Sequence, residues 1–526
     1  MKTIAMYLPQ FHRVVENDEW WGEGFTEWTA VKGAKPLFEG HRQPKEPLND
    51  NYYDLIEKET MIWQSQLADR YKVYGFCFYH YWFKDGKKIL EKPAENLLLW
   101  TDINIRFCFC WANQSWARTW SNLVSKNSWA RKFEKVLTKA ENDFGILLEQ
   151  KYGREKEWRE HFNYLLPFFK DKRYIKIEGK PVFNIFSPTI ISCLEEMLGK
   201  WNEWAIEAGF SGLYIIASNS SLEGCRNVDA YLIHEPTYTR STLGNAMMDD
   251  NQYGDEWNRR FSYDKTWSAI LNREYRSDRK VYVGGFVNYD DTPRHSVAGT
   301  CYSDAAVDKF KYYFEKLVVK NILLKNEFTF LNAWNEWGEG MYLEPDKENG
   351  YGYLEAINLV MDKYEDNEVK DIDYRIEGVI NIETTQNSMD MEYLKKVLNK
   401  NEADLKKYKE YYEILNRWLF LRNQNKYVNE FFTKNELYHI AIYGFGDLGK
   451  YLYSELKDSE IKVEYFIDKN LSNINSDIII KSPNDELPQV DAIIVTPSYD
   501  YLNIKRMLER EISYLIIPIK EVIFEI

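Results

Sequence analysis

The sequence predicts an α/β fold in three parts: a (β/α)8 TIM barrel, a helical connector and a small C-terminal Rossmann-like domain. Three observations predict it. Eight short apolar segments alternate with amphipathic stretches through residues 1–365. Aromatic and polar residues collect directly after those segments. From Leu437 the composition changes, and a strand-like run leads into Gly444-Phe445-Gly446-Asp447-Leu448-Gly449.

The strand-like segments are rich in β-branched and aromatic residues and fall at 3–8, 74–81, 105–111, 181–186, 213–218, 230–234, 281–287 and 328–333. Amphipathic stretches such as Tyr53–Tyr71 and Ser303–Lys320 separate most of them. Such a barrel takes about 250 residues and exceeds 400 with insertions. Residues 10–50, 112–160 and 236–275 read as inserted loops. A doubly wound open sheet is the alternative, but it usually carries a glycine-rich turn after its first strand. Here that turn is Pro9-Gln10-Phe11-His12.

Residues 366–436 read as a polar linker (366–387) followed by an amphipathic helical connector. Leu398, Leu405, Tyr412 and Leu419 recur every seven residues, with Leu394, Tyr408 and Leu415 between them. A helix or hairpin packing on its own chain is preferred over a dimeric coiled coil. Residues 437–526 then run strand (His439–Tyr443), helix, strand (Val463–Ile467) and Asp468. Further strands are expected at Ser476–Ile480, Asp491–Thr496 and Ser513–Ile517. Gly444, Gly446 and Gly449, with Asp468 nineteen residues later, fit a nucleotide-binding turn in its required strand–turn–helix context. A nucleotide or nucleotide sugar is the ligand such a module would take; a docking module is the alternative.

Composition narrows the function. The 526 residues carry 68 basic and 82 acidic side chains, a net charge of −14, which argues against nucleic-acid binding. The length exceeds what one core fills. No apolar run is long enough for a transmembrane helix, and Met1–Pro9 is too short and too quickly broken for a signal peptide. The six cysteines form no C-x-x-C pair and read as buried thiols, so the cytoplasm is the expected location.

Strand ends supply the site candidates. Tyr7 closes the first strand, shared between core and site, and Gln10, His12, Trp20, Trp21, Glu27 and Trp28 follow it. Glu27 and Trp28 either line the site or fix the long first loop. Later strands end in Tyr79, His80 and Tyr81, in Trp111 and Asn113, in Asn219, in His234 and Glu235, and in Asn288. The eighth ends in Trp334, Asn335, Glu336, Trp337, Gly338 and Glu339, with Glu344 beyond. In a barrel these ends meet on one face. Flat aromatic rings, amides and carboxylates together suit a sugar. Glycosidic cleavage needs two carboxyls, and Glu336 and Glu339 are the pair singled out. Three residues apart, they would face opposite ways on a strand, so a turn eased by Gly338 and Gly340 is required. No metal motif is present; His234 and Glu235 are adjacent, so only one can face the mouth.

Tyr7-Leu8-Pro9-Gln10-Phe11-His12, Trp20-Trp21-Gly22-Glu23-Gly24-Phe25-Thr26-Glu27-Trp28 and His41-Arg42-Gln43-Pro44 resemble the WbsX family of bacterial O-antigen and capsule assembly. That family is similar to glycoside hydrolase family 99, retaining endo-α-mannosidases with a (β/α)8 barrel. The segment 334–340 with Leu343-Glu344-Pro345 is similar to the hydrolases' catalytic segment. The resemblance implies Glu336 as the base at the substrate's 2-hydroxyl and Glu339 as the general acid/base, through a 1,2-anhydro sugar. The hydrolases commonly carry His where this chain has Gly338. The resemblance implies an oligo- or polysaccharide substrate, no cofactor for the barrel, and association with polysaccharide-assembly enzymes. Two alternatives stay open: a nucleotide-sugar glycosyltransferase using the C-terminal module for its donor, and a non-catalytic glycan-binding protein. Asp371-Ile372-Asp373 is a weak metal–nucleotide motif in the linker.

Overall fold

The computed structural model describes residues 1–117, 146–219, 222, 225–249, 259–366, 374–376, 409–468, 479–510, 512 and 514–526. The chain divides into two compact units, Met1–Met389 and Asp390–Ile526.

In the first unit eight parallel strands form a ring. They are β1 (Lys2–Tyr7), β2 (Val73–His80), β3 (Arg106–Trp111), β4 (Lys180–Ile185), β5 (Tyr214–Ser218), β6 (Ala230–Ile233), β7 (two halves, Lys280–Val283 and Gly285–Phe286) and β8 (Phe328–Asn332). Each of the first six pairs with the next in sequence. The first half of β7 pairs with β6 and its second half with β8, which returns to β1. The switch falls at Gly284, where any Cβ would lie 2.5 Å from the Ile233 carbonyl oxygen. The strands lie where the apolar segments predict them, because strands covered on both faces are apolar throughout; β5 and β8 are buried at every position. This is the α/β barrel.

The outer layer contains α1 (Lys58–Arg70), α2 (Lys92–Leu99), α3 (Glu155–Lys170), α4 (Leu194–Glu207), α5 (Tyr263–Asn272), α6 (Val307–Leu323) and α7 (Gly352–Lys363). On α1 the buried face runs through Met61, Gln64, Ser65 and Ala68, the helical spacing. This helix starts later than Tyr53 because Asp54 turns the chain, accepting from the Ile56 amide at 3.0 Å. Likewise Ser303 ends a short strand and Asp304 has φ 60°, so α6 waits until Val307. Trp267 on α5 stacks between Phe286 and Tyr313, with ring centres 5.3 and 5.5 Å away. The interior is aromatic as well: Tyr7 lies 4.2 Å from Phe78, and Phe76 lies 4.7 Å from Trp334. All six cysteines are free, five of them buried.

The second unit carries a five-stranded sheet: β9 (His439–Tyr443), β10 (Lys462–Ile467), β11 (Ile480–Lys481), β12 (Ala492–Val495) and β13 (Leu515–Pro518). All neighbours are parallel, in the order β11-β10-β9-β12-β13. Side chains alternate on β9: Ile440 and Ile442 join one core, Ala441 and Tyr443 the other. The expected strands at Ser476–Ile480 and Ser513–Ile517 are described only from Ile480 and Leu515; residues 476–478 and Ser513 lie outside the described residues. Helix α8 (Asp447–Leu456) follows the glycine turn.

The heptad stripe is corrected. Leu394, Leu398, Leu405 and Tyr408 lie outside the described residues, as does Asp371-Ile372-Asp373. Residues 409–423 are helical, but Tyr412, Leu415 and Leu419 are exposed, while Ile414, Trp418 and Leu421 are buried. A sheet face takes a straight helix's 3.6-residue stripe rather than a 3.5-residue seam, and Trp418 Nε1 donates to Glu455 at 2.9 Å. In the expected linker, Tyr374–Ile376 are described; Ile376 exchanges two 2.8 Å hydrogen bonds with Asn272. Among the described residues no helix is long and apolar enough to cross a membrane.

Candidate active site

The segment after β8 is sewn to the end of β1. Trp334 N donates to the Met6 carbonyl at 2.7 Å. The Asn335 amide binds both backbone groups of Leu8, at 2.8 and 3.0 Å. Asn335 and Glu336 then pair with Tyr342 and Met341 in a two-residue antiparallel ladder. Trp337–Glu339 makes a single 3-10 turn, closed by Gly340 in the left-handed region at φ 62°. This tight hairpin is the turn the sequence requires, and it brings Glu336 and Glu339 together.

One guanidinium holds both. Arg294, on the helical turn Thr292–His295 after β7, donates Nη2 to Glu336 at 2.8 Å and Nη1 to Glu339. Its Nε donates to Glu27 at 2.6 Å. Glu27 opens the short helix Glu27–Gly33, whose first amide is anchored on the Gln10 carbonyl at 3.2 Å. Gly338 lies against this group: any Cβ there would overlap the Glu27 carboxylate and lie 2.9 Å from Arg294 Nε. Gly338 thus leaves space that the Glu27–Arg294 pair fills.

Three carboxylates share one cation. Burial, reinforced by Glu339 and Glu27, pushes the Glu336 carboxyl up to about 8 against the pull of Arg294. The same three carboxylates hold Arg294 cationic despite its burial. Tyr79 and Tyr81 flank the group. Burial and then the Glu336 charge raise both phenols. Tyr79 also shares a 3.2 Å hydrogen bond with His234 Nε2, and burial lowers that imidazole to about 4.

Glu344 is a support. Its carboxylate accepts from Gln64, Trp337, Tyr53 and Trp334 at 2.7, 2.7, 2.8 and 2.9 Å, and burial raises it to about 7. It thereby fixes both tryptophans that bracket the hairpin. Trp28 packs on Trp337 at 5.4 Å and donates to the Tyr53 carbonyl at 2.8 Å. Asp290 ties the first loop to β7: His41 and Gln43 meet its Oδ2 at 2.8 and 2.6 Å, while its amide donates to the Glu339 carbonyl at 2.6 Å.

Several other expected site residues make structural contacts of their own. His80 alternates with Tyr79 and Tyr81 and faces α3, where its Nε2 meets His161 Nε2 at 2.8 Å. Burial pushes His80 down to about 3 and His161 down as well, so the pair is neutral. Trp111 also faces outward, 4.8 Å from His161. Tyr7 is buried and donates to Gln64 at 2.7 Å. Asn113 is buried and clamps the Ser187 backbone at 2.8 and 2.9 Å. Glu235 turns to Thr239, accepting at 2.7 and 2.9 Å, and leaves the mouth to His234. His12 is buried; Trp20 and Trp21 are half-buried on Val15–Trp21, with Trp20 6.0 Å from Trp116. Asn288 and Asn219 are half-buried, Asn288 accepting from Tyr289 N at 2.8 Å and Asn219 holding φ 45°. Sequence reasoning missed Arg294. Its one sequence signal is a lone cation in the loop after a barrel strand. A 420 Å³ cavity lined by Met1, Val73 and Arg106 lies at the opposite, amino ends of the strands, the face that serves stability.

Residues 3–357 match the family model described as Glycosyltransferase WbsX. Two proteins from strains of Xanthomonas campestris pv. campestris, both named uncharacterized protein WxcX, are 29% identical over 372 and 374 residues. Those matches cover 69% of this chain and 50% of theirs, so the chain spans about half the length of the curated relatives it matches. Two structures of a GH99 endo-alpha-mannosidase from Bacteroides thetaiotaomicron superpose with TM-scores of 0.41 and 0.39 at 14% identity, over 69% of this chain and 97% of theirs.

Proposed function

The chain belongs to the WbsX glycosyltransferase family, a family of carbohydrate-active enzymes, and from that premise we propose that its barrel acts at glycosidic bonds of a bacterial surface polysaccharide such as O-antigen or capsule. The observation that carries this is the pair Glu336 and Glu339 on a single guanidinium at the strand ends, flanked by Tyr79 and Tyr81. Two carboxyls within one guanidinium's span suit retaining chemistry.

In this reading Glu336 removes the proton of the substrate's 2-hydroxyl, and that oxygen attacks C1. The C1–O bond to the leaving group breaks as Glu339 gives that oxygen its proton. An acceptor hydroxyl, from sugar or water, then loses its proton to Glu339 and opens the 1,2-anhydro ring at C1. Glu336 returns its proton to the 2-oxygen. With its carboxyl pushed up to about 8 by burial, Glu336 can act as base only in its ionised form, so this role calls for alkaline pH. Arg294 must release Glu339 for that carboxyl to carry a proton. The test is turnover of polysaccharide fragments, reading products and anomeric configuration. Glu336→Gln and Glu339→Gln should each abolish turnover with the fold intact; full activity in both overturns the reading.

We further read residues 437–526 as a Rossmann-like module. Its strand order and parallel pairing support that reading. The free cysteines support a cytoplasmic location.

A further inference from the structure

The C-terminal unit holds a cavity of about 550 Å³ at the carboxyl ends of β9 and β12. These neighbours send the chain to opposite sides: β9 leads on to β10, and β12 leads on to β13. A crevice opens where connections diverge in this way, and open α/β sheets bind their ligands there.

The three glycines of the turn are not equivalent. Gly444 sits at φ 99°, and a Cβ there would lie 2.5 Å from Thr496 Oγ1. A Cβ on Gly449 would overlap the Gly444 carbonyl, so this glycine lets helix and turn pack. Gly446 has an ordinary φ of −78°, and a Cβ there meets nothing within 4 Å. Close packing requires two of these glycines; the third is the N-cap of α8, faces open space and lines the cavity.

Tyr443 supplies an independent sign. It lines the cavity at 4% exposure, and its hydroxyl has no hydrogen-bond partner among the described residues. A buried hydroxyl left unsatisfied is costly. Burial, with the charges of Asp468 and Asp500, raises that phenol to about 12. Both aspartates also line the cavity. Asp468 is fixed at the turn by accepting from Phe445 N at 2.7 Å. Tyr411 and Tyr499 add two rings with centres 6.0 Å apart. Among the described residues no lysine or arginine lines the space. These walls accept hydroxyl protons and stack on planar rings. A phosphate would meet backbone amides at the start of the ten-residue α8.

We propose that this crevice binds a nucleotide, with its ribose diol donating to Asp468, its base against the tyrosines and its first phosphate against the backbone at Gly446.

The test is calorimetry of the full chain with UDP, GDP, ADP, UDP-glucose and NAD. Comparison among them separates free nucleotide, nucleotide sugar and dinucleotide as the source. One should bind with 1:1 stoichiometry and a Kd below about 1 mM. Gly446→Val should remove that binding with at most a small fall in Tm, because the added side chain enters open space and only the N-cap preference is lost. Asp468→Asn, and the 2′,3′-dideoxy form of the same nucleotide, should each bind at least about tenfold more weakly, about 1.4 kcal/mol. No heat from any ligand overturns the proposal, as does wild-type affinity in Gly446→Val or for the dideoxy form. The readout is binding, so its failure is distinguishable from failure of turnover in the barrel.

Discussion

Replacing Arg294 by Met keeps most of the side-chain volume and removes the cation from three carboxylates. Glu27 and Glu336 side chains are 3% and 7% exposed; Arg294 and Glu339 are 22% and 26%. Breaking a fully buried pair costs 3–5 kcal/mol, and the partial exposure here places the cost near the low end, about 3 kcal/mol. At about 2.1 cal/mol/K per residue, the unit Met1–Met389 has an unfolding entropy of about 0.8 kcal/mol/K, so Tm should fall by about 4 °C. The loss should depend on pH. Burial already holds the Glu336 carboxyl at about 8, above the unfolded value of about 4.3, and without the cation it should rise further. The folded state then binds more protons than the unfolded one, so stability falls as pH rises through the folded values. Each further unit of upward shift adds about 1.4 kcal/mol, or about 2 °C, to the deficit at pH 10 relative to pH 7. Calorimetric scans of wild type, Arg294→Met and Arg294→Lys at both pH values measure this. Lys should fall between the other two, since an ammonium lacks the planar fork. A Tm equal to wild type for Arg294→Met, or a deficit identical at both pH values, refutes the reasoning.

As a base, Glu336 must be ionised, so kcat/KM should rise with pH through a value near 8; a limb that falls there instead makes Glu336 the acid. Gly338→Ala should displace Glu27 from Arg294 and cost about 1–3 kcal/mol, with partial recovery in Gly338→Ala/Glu27→Ala; an unshifted melting curve for the single variant contradicts the close packing. Trp418→Ala should cost the C-terminal unit about 3–5 kcal/mol, whereas the exposed Leu419→Ala should stay within about 0.5 kcal/mol in the same denaturation assay. The reverse order would restore the heptad face.

Much of the barrel was legible because a strand buried on both faces writes itself as an unbroken apolar run, as in Tyr214–Ser218 and Phe328–Asn332. Helix starts were less legible. Local turn chemistry at Asp54 and Asp304 overrides amphipathic spacing and delays α1 and α6. In the site, the need for a turn between Glu336 and Glu339 followed from strand periodicity alone. Which face each neighbour takes did not: listing Tyr79, His80 and Tyr81 together ignored the alternation that sends His80 to His161.

The sequence by itself determined the ring of strands, the hairpin carrying two glutamates, and the glycine turn of the second sheet. These rest on backbone geometry and on patterns a few residues long. Only the tertiary structure decided that Arg294 joins Glu336 to Glu27, which stands 267 positions before Arg294 in the chain. Parallel pairing around a closed ring carries every strand-to-helix loop to one end, and there Arg294 settles among three carboxylates. That balance of desolvation and charge depends on distances in space, and no local pattern records them.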